Sequence, residues 1–168
     1  MPATAVVGAL ALCHPADAGQ SPEREPFVRL PGGSTILEAG WQLVVTGDAH
    51  CVYVVPEQWP VSRDGQHAVA PDGSIALNIA AERDTWPAHT AKVRAAMQPA
   101  VIHASTPDRL WLEQTDGQRA WHAVSATDGW DVCTARVDVT GWTPSGLVQR
   151  IAASIRVATG ADKEWLKR

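Results

Sequence analysis

Residues 101–140 read VIHASTPDRLWLEQTDGQRAWHAVSATDGWDVCTARVDVT, and this stretch decides the fold. Thr106-Pro107-Asp108, Asp116-Gly117 and Asp128-Gly129 divide it into β-rich runs. Asp-Gly between alternating apolar residues is the strongest short hairpin signal. The stretch predicts three or four successive antiparallel strands.

If Asp116-Gly117 is a two-residue turn, Thr115 faces Gln118, Glu113 faces Ala120, Leu112 faces Trp121 and Trp111 faces His122. One sheet face then carries Leu110, Leu112, Trp121 and Ala123. The other carries Arg109, Trp111, Glu113 and His122. A flat apolar ring flanked by hydrogen-bonding groups is how a binding surface is composed, which makes these four the candidate ligand-binding residues. The same mixture also suits a solvated sheet face. A second tight turn at Asp128-Gly129 sets Thr127 opposite Trp130 and Val124 opposite Cys133. Cys133 then joins the His122 face with Ala135, Val137 and Val139, so that face turns from wet to buried along the sheet or a bulge interrupts it.

On the N-terminal side, Phe27 to Leu30 before Pro31-Gly32-Gly33 predicts a short edge strand. WQLVVT from Trp41 and CVYVV from Cys51, joined by Gly47-Asp48-Ala49-His50, predict a hairpin that Pro56 closes. His67 to Ala70 and Ile75 to Glu82, joined by Pro71-Asp72-Gly73-Ser74, predict another. The period then changes to 3.6: Trp86, Thr90, Val93 and Met97 line one helix face, with Thr85 or Asp84 as cap, Pro87 in the first turn and Pro99 at the end. A last helix is expected over 144–158, capped by Thr143, with Leu147, Ile151, Ile155 and Ala158 as its stripe and Gly160 as its stop. The expected core includes Leu110, Leu112, Val93, Met97, Leu147, Ile151 and Ile155. The fold class is α+β: one antiparallel sheet of about six or seven strands flanked by two main helices, in a single domain over 19–168.

The order of these elements carries a family resemblance. Cys51-Val-Tyr-Val-Val-Pro-Glu-Gln-Trp59, Ala70-Pro-Asp-Gly-Ser74, Trp86 opening a helix, the Arg109-Leu-Trp-Leu-Glu113 strand and the terminal helix resemble the PsbP-like and DcrB-like superfamily of small α/β/α sandwich proteins. The likeness runs from about Trp41 to Ala158. It implies a non-enzymatic, often extracytoplasmic accessory or binding domain, with no shared catalytic motif to carry over.

The chain's 168 residues suit one domain, and with 45% hydrophobic residues it needs neither a metal nor a dense disulfide net to build a core. A net charge of -4 without a basic cluster lacks the footprint of nucleic-acid binding, so no such partner is expected. The apolar run Ala3 to Cys13 is too short to span a membrane. It fits the apolar region of a secretory signal, with Ala16-Asp17-Ala18 as cleavage site, although Met1-Pro2 supplies no positive charge. Residues 1–18 are read as a signal-peptide remnant or a disordered tail. Their removal leaves Cys51 and Cys133, an even pair that predicts one disulfide in a periplasmic or secreted protein; the alternative is two buried thiols.

Motifs for nucleophilic, zinc-dependent, P-loop, dinucleotide and dithiol chemistry are missing, so no catalytic residue and no cofactor is assigned. His50, His67, His89, His103 and His122 show no ligand spacing, and no metal site is expected. The eight tryptophans read as core and rim residues or as an aromatic platform for a flat ligand. Two function classes follow: a non-catalytic extracytoplasmic binding or accessory domain taking a protein or small ligand, and a carbohydrate-binding module or small hydrolase using the Trp111 face.

Overall fold

The computed structural model describes residues 27–29, 35–141, 143, 145–165 and 167. The expected leader, residues 1–18, lies outside them, as does Pro144 at the start of the last predicted helix. The elements in order are β1 (Phe27–Arg29), β2 (Thr35–Leu37), β3 (Trp41–Val45), β4 (Cys51–Pro56), β5 (His67–Val69), β6 (Ile75–Arg83), α1 (Trp86–Ala96), β7 (Val101–Ser105), β8 (Arg109–Thr115), β9 (Arg119–Asp128), β10 (Asp131–Thr140), α2 (Ser145–Ser154), β11 (Arg156–Val157) and α3 (Gly160–Trp165).

An antiparallel six-stranded sheet, in the order β5-β6-β10-β9-β8-β7, forms the centre. The β3-β4 hairpin does not join it. With β11 added to β4 it makes a three-stranded sheet of its own, and β1 pairs with β2 in a third. The strands of residues 101–140 number four and part where the turn residues indicated.

The core lies between the inner face of the large sheet and a second layer of β4 and α2. Leu77, Ile79, Val124, Ala135 and Val137 meet Tyr53, Val55, Ile151 and Ile155 there. Burying each large aliphatic side chain contributes about 1.5–3 kcal/mol. The Cys51–Cys133 disulfide, with Cα atoms 5.6 Å apart, crosses this core and joins the two sheets. It is the predicted bridge.

The hairpins differ from expectation in register. Thr115 pairs with Ala120, Glu113 with His122, Leu112 with Ala123 and Trp111 with Val124. The first turn is wider than two residues because the Asp116 carboxylate accepts from the backbone N–H groups of Gln118 (3.0 Å) and Arg119 (2.8 Å). At the second, Gly129 takes φ +68° and the loop is Gly129-Trp130, so Asp128 faces Asp131 and Cys133 faces Ala126. Each register moves by two residues, and a shift of two leaves every side chain on its original face. Arg109, Trp111, Glu113 and His122 therefore do share a face, and Cys133, Ala135, Val137 and Val139 share it too. That face grows more buried from β8 to β10 without a register shift along β9–β10.

Leu110, Leu112, Ile151 and Ile155 are buried as expected, while Val93, Met97 and Leu147 are only half-buried. The buried residue of α1 is His89, which the apolar stripe omitted. The last helix also departs from expectation: α2 ends at Ser154, so Ile155 and Ala158 lie beyond it, Arg156–Val157 forms β11, and Gly160 begins α3 instead of ending α2. Thr159 and Asp162 explain this, since the Asp162 carboxylate accepts from the Thr159 backbone N–H (2.7 Å) and hydroxyl (2.8 Å), the side chain three residues on holding the N-cap. Among the described residues, no helix is long and apolar enough to cross a membrane.

Candidate functional site

On the inner face at the β7 end of the sheet, three neighbouring strands bring His103, Glu113 and His122 together. One ligand atom from each lies within 4.8 Å of the others. Glu113 and His122 meet as a directly paired couple across β8–β9. His103 reaches them because the β7–β8 register slips between Ile102 and Ala104, and the extra residue of such a bulge re-aims its side chain. The His103 Nε2 atom contacts the Glu113 carboxylate, and its ring stacks on Trp111 at 4.5 Å between centroids.

Trp111 donates from its indole Nε1 to His122 Nδ1 at 3.2 Å, so the neutral His122 ring carries its proton on Nε2. His122 is 7% exposed. Burial holds its pKa below the ordinary histidine value, against the pull of the Glu113 carboxylate and with a smaller push from His103. Trp111 itself packs half-buried against the main core. With His103 stacked on it, the ring is not an open platform.

Arg109, the fourth residue offered for ligand binding, turns to the helix instead. Its guanidinium donates to the carbonyl oxygens of Ile155 (3.0 Å) and Ala152, at the C-terminal end of α2. A cation there satisfies carbonyls that the helix leaves without a partner and opposes the negative end of its dipole.

The outer face carries a second polar group. The Ser125 hydroxyl lies 2.8 Å from His89 Nε2, Glu82 approaches His89 Nδ1, and Thr134 Oγ1 is 3.3 Å from both the ring and Ser125. The connectivity is that of a Ser-His-acid triad. Ser125, however, is 0% exposed and His89 1%. Both lie between α1 and the sheet, where no substrate carbonyl reaches the hydroxyl, and the group acts as a buried polar tie.

Beyond this tie the C-terminal half of α1 stands away from the sheet. A cleft of about 370 Å³ opens there, lined by Val93, Ala96 and Met97 from the helix and by Trp121, Ala123 and Arg136 from the strands, among others. This is why Val93 and Met97 are only half-buried.

Sequence spacing missed the first cluster because its three members come from three strands, at positions 103, 113 and 122. The signal lay in the register: pairing Glu113 with Ala120 separated it from His122, and a bulge leaves no mark in the alternation of side chains. No linear spacing marks these histidines, yet the fold brings His103 and His122 to one carboxylate.

No protein-family model and no curated protein matches the chain. Solved structures do. A crystal structure from Bacteroides thetaiotaomicron VPI-5482 matches with TM-score 0.50 at 12% identity, over 71% of this chain and 49% of that one, so the chain spans about half its length. The solution structure of cyanobacterial PsbP (CyanoP) from Synechocystis sp. PCC 6803 matches with TM-score 0.48 at 14% identity, over 76% of this chain and 97% of that one. These are likenesses of fold, and function belongs to sites rather than folds.

Proposed function

We propose that the protein is a non-catalytic, extracytoplasmic binding domain that takes a small, largely apolar ligand in the cleft beneath α1. The observation that carries this reading is the cleft itself: about 370 Å³, with Val93, Ala96, Met97, Trp121 and Ala123 on its walls and Gln114, Thr134 and Arg136 supplying polar groups. Ligand sites are typically concave, mostly apolar and furnished with a few polar groups that orient the guest. The Cys51–Cys133 bridge supports an oxidising compartment, periplasmic or secreted. Trp111 draws less support as a carbohydrate platform, because His103 stacks on its ring. A hydrolase at Ser125 draws less still, since that hydroxyl is buried.

Equilibrium titration with anilinonaphthalene sulfonate, a small apolar probe whose emission rises in such a cleft, tests the proposal. The native chain is expected to bind it saturably. Ala123→Trp, which fills the cleft, should abolish binding while circular dichroism and thermal midpoint stay near native. Absence of saturable binding, or equal binding by Ala123→Trp, overturns the cleft as the site.

A further inference from the structure

We propose that His103, Glu113 and His122 form a binding site for a divalent transition metal ion of zinc-like character, on the opposite sheet face from the cleft. The three side chains project from adjacent strands to the same face, with one donor atom each within 4.8 Å of the others. Two imidazoles and one carboxylate make a borderline donor set. Zinc, cobalt and nickel accept it readily, whereas calcium and magnesium require oxygen ligands. Donors around a tetrahedral zinc sit about 3.3 Å apart, a separation that follows from bond lengths near 2.0–2.1 Å. Closing to that distance asks for a small adjustment, and the parts able to make it are on the open side: the side chains of His103 and Glu113 are 29% and 27% exposed. His122, held at 7% exposure, is the fixed member. Three protein ligands leave a fourth position to water or an exogenous group.

Trp111 gives the proposal a specific signature. Its indole N–H occupies His122 Nδ1. A metal bound at Nδ1 displaces that hydrogen bond. A metal bound at Nε2 moves the ring proton to Nδ1, where it confronts the indole donor. Either way metal binding breaks the Trp111–His122 contact, so a side chain without the donor favours the metal-bound state.

The test is isothermal titration of chelator-treated, tag-free full-length chain with zinc chloride, followed in parallel by tryptophan emission and thermal midpoint. The native chain is expected to bind one zinc ion, to shift its emission and to melt at higher temperature. His103→Ala, at an exposed position, and Glu113→Gln should each lose stoichiometric binding and the midpoint shift while remaining folded in the absence of metal. Trp111→Phe should bind more tightly, by up to about tenfold, the worth of one neutral hydrogen bond. Binding retained in both His103→Ala and Glu113→Gln, or no stoichiometric binding by the native chain at micromolar zinc, overturns the proposal.

Discussion

The Nη1 atom of Arg109 on β8 donates to the carbonyl oxygen of Ile155, 3.0 Å away, just past the last turn of α2. One side chain thus binds the central sheet to the helix that closes the core. Its guanidinium is half-buried, and hydrogen bonds from a charged donor contribute about 1.5–3 kcal/mol. Arg109→Met, which keeps the stem and removes the donors, is expected to lower stability by about that amount in chemical denaturation while leaving probe binding in the cleft unchanged.

The Cys51–Cys133 bridge closes a loop of 82 residues. On the chain-entropy account, constraining the unfolded chain to that degree stabilises by at most about 4.5 kcal/mol. Cys51→Ala/Cys133→Ala should therefore show a denaturation midpoint far below that of the oxidised protein. Thiol titration of the denatured, unreduced full-length chain should find one reactive thiol, Cys13. Three thiols would refute the bridge.

Acid sensitivity is expected from Asp162. Burial acts to raise its pKa, but hydrogen bonds from Arg156 and Thr159, with the Arg156 charge, outweigh burial and bring it down to about 2. A carboxyl group depressed from an unfolded value near 3.9 contributes its full stability above that value and loses it as the pH falls toward 2. The difference corresponds to between about 2 and 3 kcal/mol. Asp162→Asn should lose that much at pH 7, and the native and variant stabilities should converge between about pH 4 and pH 2.

The Ser125–His89–Glu82 group makes a negative prediction. With Ser125 at 0% exposure beneath α1, a fluorophosphonate probe should leave it unlabelled in the folded protein, as read by mass spectrometry of the peptides. Labelling at Ser125 would mean that α1 lifts to admit substrate, and would favour a hydrolase centred on Ser125 over the binding reading.

The parts of this fold legible in the sequence are those set by local chemistry. Pro71-Asp72-Gly73-Ser74 marks a turn, Pro87 marks a helix start, and the alternation of Leu110, Trp111, Leu112 and Glu113 separates two faces whatever the register. The register at Asp116-Gly117 is not legible because the side chain of Asp116 widens its own turn. The cluster at His103 was not legible because it depends on a slipped pairing between β7 and β8. The role of Arg109 was not legible either, since its acceptors lie more than forty positions along the chain, a contact that no periodicity encodes.

The slip at His103 has a colloidal consequence. β7 is the last strand of the large sheet, and Val101 and Ile102 on it are 58% and 54% exposed. A flat apolar border of this kind is a template on which further chains add strand by strand. The extra residue spoils the template, because an incoming strand in regular register meets a kink after Ile102 and loses its ladder. Deleting His103 would straighten the border. The shortened chain is expected to aggregate at lower concentration than the native protein, as read by light scattering.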